Sequence, residues 1–353
     1  VSNPQNPSKI FELAHPWAHN TNPIWLASTL SLKRNLDKFN FPAKLPVERR
    51  KQVISLVGRD LPKKPAFTLF KGEELSPLEK EFLAEHFLLQ ESIQQAHQGE
   101  AFLIDGTGET LIGLNIQDHL GLHLIEIHGE IESAWSKLAK IEGALSQNLS
   151  YAYNPAFGYL TSDATEAGTG LQVTAFLQLP ALLHGGSLGE ILSRLADDSI
   201  QTRSLMGDPD TFAGDLVLVS NRYALGVNEE NILSSLRGFV TKLQAEEVSA
   251  RKQLKSADNP HVKDQVARAF GIMVHSYQLE AVEVLTEISL LKLGLELGWL
   301  KGLSADDLNL LFFNSRRAHL LQNQEEKKLN QEEIPHKRAE FIHSKLKNIE
   351  LLI

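Results

Sequence analysis

Residues 157–182 read FGYLTSDATEAGTGLQVTAFLQLPAL, and this stretch frames the reading of the whole 353-residue chain. Its first half is polar and ends on Gly168-Thr169-Gly170; an apolar run from Leu171 follows and is closed by Pro180. Val, Thr and Phe suit a pleated strand, and Gly and Pro punctuate strand ends. A glycine-rich turn feeding such a strand is either an anion-holding loop or a plain tight turn, since both need the same residues.

On either side the pattern is legible. Between residues 101 and 128, AFLID, TLIGLNI and LGLHLIEIHG are short apolar runs broken by turn residues, which predicts strands and hairpins. GDLVLVSN, at 214–221, predicts another. Val53, Leu56 and Val57 repeat at helical spacing behind Pro46, and further helices are expected over 77–89 and 131–149. After Asn228 strand signals vanish, and 230–254 and 265–300 carry Leu, Ile, Val and Ala every three to four residues. The expected fold is α+β, a mixed or antiparallel sheet flanked by helices, followed by a helical last third. The domain reading is an irregular arm over 1–22, an α+β domain over 23–257 and a helical C-terminal domain over 258–353, with polar breaks near 298–304 and 322–333.

Composition narrows the function classes. A net charge of −9 argues against a surface built for nucleic acid or anionic membrane. No apolar run reaches the length of a membrane span, and the first residues lack the basic and apolar regions of a signal peptide, so a cytoplasmic protein is expected. The absence of cysteine removes disulfides and thiol nucleophiles. His119, His123 and His128 are explained by alternating strand positions, and no metal site is expected.

Three stretches in order carry a family resemblance. The opening stretch resembles the GYLTSCPTNxGTGLRAxVxLxLPAL motif of the ATP:guanido phosphotransferases; NIQDHLG, at 115–121, resembles NEEDHLR; and TRSLMGDPDTFAGDLVLVSNRYALG, at 202–226, resembles xRGxxGExxxxxGxxYxISNxxxLG. LASTLSLKRNL is similar to LSSRIRLARNL, while RRAHLLQ and EEIPHKRAEFI resemble PAHLQ and EERDxxRAExI of the bacterial protein-arginine-kinase branch. The resemblance spans roughly residues 23–345 and implies a guanidino-kinase (glutamine-synthetase-like) catalytic domain using ATP and Mg2+. It also implies a homodimer and, as partners, a zinc-binding activator protein and a Clp-type unfoldase.

Carried over position by position, the resemblance places nucleotide-facing residues at Ser28, Thr29, Ser31, Arg34, His119, Gly121, Gln172 and Arg203, and substrate-facing residues at Asn115, Gln117, Asp118 and Asp208. Phosphoryl transfer depends on holding a polyanion and stabilising spread negative charge, work done largely by arginines. The motif's arginines fall on Thr29, Ser31, Gly121 and Gln172, leaving Arg203 charged with Arg34 as a neighbour. At about 1.5–3 kcal/mol for each hydrogen bond to a charged group, four losses remove on the order of 6–12 kcal/mol, non-additively. Gln117 stands for a carboxylate and cannot accept a proton, Asp208 is a methylene shorter than the motif's Glu, and Asp163 replaces its cysteine. In the C-terminal motif Arg and Asp become Ile334 and Pro335, leaving Arg338 and Ala339.

Structural readings stand beside these. Asn115, Asp118 and His119 suit a turn with a core histidine, Arg203 an internal ion pair, and Asp208 a turn cap. The pattern as a whole, apolar and Gly positions kept while charges go, points to a catalytically impaired pseudokinase acting as a scaffold or adaptor in protein quality control. The alternative is an active protein arginine kinase with a rearranged site, in which Lys33, Arg34 and Arg203 replace the lost cations and Asp208 serves as base.

Overall fold

Leu30 and Leu32 are fully buried whereas Thr29 and Ser31 between them are half-buried, the period-two signature of a strand with one covered face. That strand, β1 (Trp25–Arg34), is the first of a sheet whose next members are β2 (Phe67–Lys71), β3 (Ala101–Asp105), β4 (Thr110–Leu114) and β5 (Leu120–Glu126). Helices α1 (Val47–Asp60), α2 (Pro77–His86) and α3 (Ile131–Ser146) accompany them. A short hairpin, β6 (Tyr153–Asn154) with β7 (Gly158–Tyr159), precedes β8 (Leu171–Gln178). Then come α4 (Pro180–His184), α5 (Leu188–Arg194), β9 (Ile200–Ser204) and β10 (Leu216–Asn221). The remainder is α6 (Glu229–Ala257), α7 (Pro260–His275), α8 (Ala281–Leu297), β11 (Leu300–Lys301), α9 (Ala305–Asn314), α10 (Arg317–Gln322), α11 (Ile334–Lys345) and β12 (Glu350–Leu351). This computed structural model describes residues 9–19, 22–89, 97–207, 212–257, 259–322 and 330–353. The architecture is α+β, and among the described residues no helix is long and apolar enough to cross a membrane.

Two compact units divide the chain, the first built from 27–174, 220–237 and the described residues up to 16, the second from the described residues of 17–26, 175–219 and 238–353. In the first, β2, β3, β4, β5 and β1 pair in that order, each antiparallel to the next. Register sets what each face carries. Leu103, Ile112, Leu122 and Leu32 stand opposite one another across four strands, and the next row, on the other face, is Phe102, Gly113, Gly121 and Lys33. α3 packs on β5 and buries Ile131, Ala134, Leu138, Ile141 and Leu145, a stripe at helical spacing.

The second unit rests on a hydrophobic set from α6 to α11 and on ion pairs inside it. The helically spaced run over 265–300 is carried by two helices, α7 and α8, and Glu280 and Glu283 form a capping box that restarts the chain at Ala281. Glu247, fully buried, accepts from the Ala181 and Leu182 amides that open α4 (3.0 and 2.9 Å) and from Arg251 Nε (2.7 Å). Burial pushes its carboxyl above the ordinary carboxylate range, against the pull of Arg251 and the two amides. Lys292, buried on α8, donates to Gln178 Oε1 (2.6 Å) and Asn309 Oδ1 (2.8 Å), and desolvation lowers its pKa to about 7.

The N-terminal arm, expected to be unpacked, is anchored where it is described: Ile10 is buried, and the Trp17 ring stacks on Phe313 at 4.2 Å. Residues 1–8, 20 and 21 of it lie outside the described residues.

Glu247→Ala leaves the Arg251 guanidinium and two helix-opening amides short of their acceptor in a dry setting, so unfolding in urea is expected to show a loss of about 3 kcal/mol. A loss below roughly 1 kcal/mol would show that the pair contributes little to the fold.

Candidate active-site face

The site is built on the first unit's sheet, and strand parity decides which side chains share it. Alternate residues of β1 point to one side, so Thr29, Ser31 and Lys33 form one row and Ser28, Leu30, Leu32 and Arg34 the other. Lys33 stands opposite Gly121 and Ser31 opposite His123, which brings Gly121 and His123 onto the Thr29 side. Gln172 is the half-buried residue between buried Leu171 and Val173, two positions beyond Gly170, whose carbonyl accepts from the Lys33 amide (2.9 Å). Thr29, Ser31, Gly121 and Gln172 are thus brought together on a partly open face. Gln172 Nε2 donates to the Asn221 carbonyl (3.0 Å). A side chain added at Gly121 would start 3.2 Å from His123 Nε2.

The cation of this face is Lys33, and it is engaged. Its ammonium, almost fully buried, donates to Gln117 Oε1 (2.8 Å) and to Glu166 Oε1 (3.0 Å), and pairs as an ion with Glu166 Oε2 at 2.7 Å. Gln117 therefore lies at the face, in the β4–β5 connection.

That connection is held from inside. Asn35 Nδ2 donates to Asp118 Oδ1 (2.5 Å) and to the Leu160 carbonyl (3.0 Å), while Asn35 Oδ1 accepts from the His119 amide (3.0 Å). Asp118 Oδ1 also accepts from the Ser162 amide (2.6 Å), and Ser162 Oγ donates to the Gln117 carbonyl (2.7 Å). Asn115 takes the left-handed conformation (φ 58°), which asparagine tolerates better than most residues, and its amide donates to the Arg50 and Gly99 carbonyls (3.0 and 2.9 Å). Asn115 and Asp118 are turn-building residues in this geometry. The loop carrying Glu166 is pinned at Gly168, where φ is 113° and a Cβ would meet the Ala224 carbonyl oxygen at 2.3 Å; only glycine fits.

Three residues expected to face the nucleotide point elsewhere. Ser28 is fully buried on the opposite side of the sheet. Arg34 is buried there too: Nε pairs with Glu142 of α3 (3.0 Å), Nη1 donates to the Lys33 and Thr169 carbonyls, and the guanidinium lies 3.6 Å from the Tyr159 ring centroid. His119 is fully buried, its Nδ1 accepting from the Leu36 amide (3.1 Å), and desolvation lowers its pKa to about 4. Lys33, Glu166 and Arg34 with its ring and carboxylate were missed as internal partners by sequence reasoning, which saw cations but not what meets them.

Arg203 belongs to the second unit. It is exposed on β9, partial desolvation lowers its pKa, and it makes no ion pair among the described residues. Asp208 lies outside the described residues. In the C-terminal motif, Arg338 is buried, with Nε donating to the Ser315 carbonyl (2.8 Å) and Nη1 to that of Leu279 (2.7 Å), a helix-joining role.

Residues 49–250 match the C-terminal catalytic domain of the ATP:guanido phosphotransferases, and residues 259–351 match the C-terminal domain of the protein-arginine kinase McsB. Chlamydia pneumoniae has a protein-arginine kinase 36% identical over 337 residues, covering 93% of each chain; that of Halothermothrix orenii is 30% identical, covering 95% of this chain and 97% of its own. Lombricine kinase is similar in structure with a TM-score of 0.57 over 71% of each chain at 18% identity. A duplicated taurocyamine kinase from Schistosoma mansoni, with bound transition-state-analogue components, gives 0.56 over 70% of this chain and 36% of that one at 21% identity. The fold is thus that of the guanidino kinases. The chain belongs to the ATP:guanido phosphotransferase family, on its protein-arginine-kinase branch.

A histidine whose pKa falls from the ordinary 6.5 to about 4 on folding binds fewer protons in the native state than in the unfolded chain. Its contribution is intact above pH 6.5 and is lost as the pH falls through 4. Melting temperature is expected to drop across that window in wild type and to drop less in His119→Asn; parallel curves for the two proteins would remove His119 as the cause.

Proposed function

We propose that this chain is a catalytically impaired protein-arginine-kinase homologue, a pseudokinase that works as a scaffold or adaptor in protein quality control. The observation that carries the reading is the state of Lys33: the ammonium of the sheet face is bound by Glu166 and by Gln117, the amide standing where the family motif has a carboxylate.

ATP with Mg2+ is the family's cofactor, and the donor set of this unit's face does not fit it. A triphosphate needs several cationic forks aimed at it. Thr29, Ser31, Gly121 and Gln172 are neutral, Lys33 is neutralised, and Arg34 is turned into the α3 side of the sheet. Gln117 orients a donor without taking its proton, and general-base assistance is commonly worth about 10²- to 10⁴-fold. The rearranged-site alternative drew its charge from Lys33, Arg34 and Arg203 with Asp208 as base, and of these Lys33 and Arg34 are committed to internal partners.

What remains intact is the body of the protein. The helices of the second unit are well packed, and in this reading they keep the contacts of the branch, with a zinc-binding activator and a Clp-type unfoldase as partners and a second copy of the chain as dimer mate.

Incubation of the full chain with ATP–Mg2+ and an arginine-rich test protein is expected to yield no phosphoarginine by mass spectrometry, and calorimetric titration no heat at millimolar nucleotide. Phosphoarginine formed by wild type and absent with Arg203→Ala would overturn the proposal.

A further inference from the structure

Three departures from the family motifs meet at one point. Where the motifs quoted above carry Ala, Asn and Glu, this chain carries Lys33, Glu166 and Gln117. Gln117 and Glu166 lie 84 and 133 positions from Lys33 in sequence and both meet it directly: the ammonium donates to Gln117 Oε1 at 2.8 Å and to Glu166 Oε1 at 3.0 Å, and pairs with Glu166 Oε2 at 2.7 Å. The new cation thus arrives with its own anion, and the position that held a carboxylate has become a neutral acceptor.

The anion is held in place by its loop. Residues 164–166 form a 3-10 turn capped by Asp163, whose Oδ1 accepts from the Thr165 amide (2.9 Å) and hydroxyl (2.7 Å). Gly168, just beyond, exchanges backbone hydrogen bonds with Tyr159 and is pressed against Ala224. Asp163 adds a second carboxylate to the loop, held below the ordinary carboxylate range chiefly by its Thr165 hydrogen bonds, with Lys33 a smaller influence. Among the described residues the group sets one ammonium against two carboxylates, so an entering polyanion meets negative charge at the place where it would need positive.

We propose that Glu166 is the specificity-determining residue of this face, an internal carboxylate that occupies Lys33 and thereby closes the face to polyphosphate ligands. The inference rests on the reading of the chain as a pseudokinase but goes further, because it makes the exclusion reversible at one residue. Replacing Glu166 by glutamine keeps shape and hydrogen bonding while removing its charge, which relieves Lys33 of its directly paired carboxylate and leaves Asp163 as the remaining carboxylate of the group.

The test is calorimetric titration of the full chain with inorganic tripolyphosphate and, separately, with ATP–Mg2+. Wild type is expected to bind neither measurably. Glu166→Gln is expected to gain tripolyphosphate affinity of roughly tenfold or more over the wild-type limit, the scale of one charge-assisted hydrogen bond. The double variant Lys33→Met with Glu166→Gln should lose that gain. Glu166→Asn, which restores the motif's residue, should behave as Glu166→Gln and decides the matter if the glutamine variant does not melt cooperatively. No gain in either single variant, or a gain that survives loss of Lys33, overturns the role of Glu166 and leaves the pseudokinase reading standing. Wild-type binding of ATP–Mg2+ with phosphoarginine formation overturns both.

Discussion

The arrangement of the face depends on the buried hydrogen bond between the Asn35 amide and the Asp118 carboxylate. Asn35 ends β1, Asp118 sits in the β4–β5 connection, and the same carboxylate oxygen takes the Ser162 amide, so three remote segments converge on one atom. A hydrogen bond to a charged group is worth about 1.5–3 kcal/mol and costs more when one partner is left dry. Each of the three segments presents a residue to the face next to this point: Lys33 before Asn35, Gln117 before Asp118, and Glu166 after Ser162. The positions of the site are thus conferred by residues that do not themselves line it.

This separation explains how the family's geometry persists alongside altered chemistry. Asn35, Asp118, His119 and Gly168 match the motifs and build backbone, while Thr29, Ser31, Gly121 and Lys33, which differ from them, lie on the face that this backbone presents. Arg34 makes the same point in the opposite sense. It matches a motif arginine and keeps its charge, yet its guanidinium is spent on Glu142, two carbonyls and the Tyr159 ring, a structural anchor between β1 and α3.

Local pattern was enough for much of the fold. Pro46 opens α1, Gly170 and Pro180 bracket β8, and α6 occupies the first predicted C-terminal helix, because each is signalled by residues within a few positions of the boundary. The break between α7 and α8 escaped, since it contains neither Gly nor Pro and the cap is a glutamate rather than a serine, threonine, asparagine or aspartate. The anchoring of Trp17 on Phe313 escaped for another reason: its partner lies almost 300 residues away. The candidate site shows the same limit. Motif matching found the neutral positions, but whether Lys33 is available hangs on Glu166, and strand parity, visible only once β1 is located to the residue, decides that Arg34 faces away.

Gly121 carries an implication for what the face can accommodate. The imidazole of His123 lies where the first atoms of a longer neighbour would project, only 3.2 Å from a Cβ placed at 121. A longer side chain there requires the ring to give by a few tenths of an ångström, so what residue 121 can be depends on where the imidazole of residue 123 stands. The two neighbours on this face thus constrain each other's size.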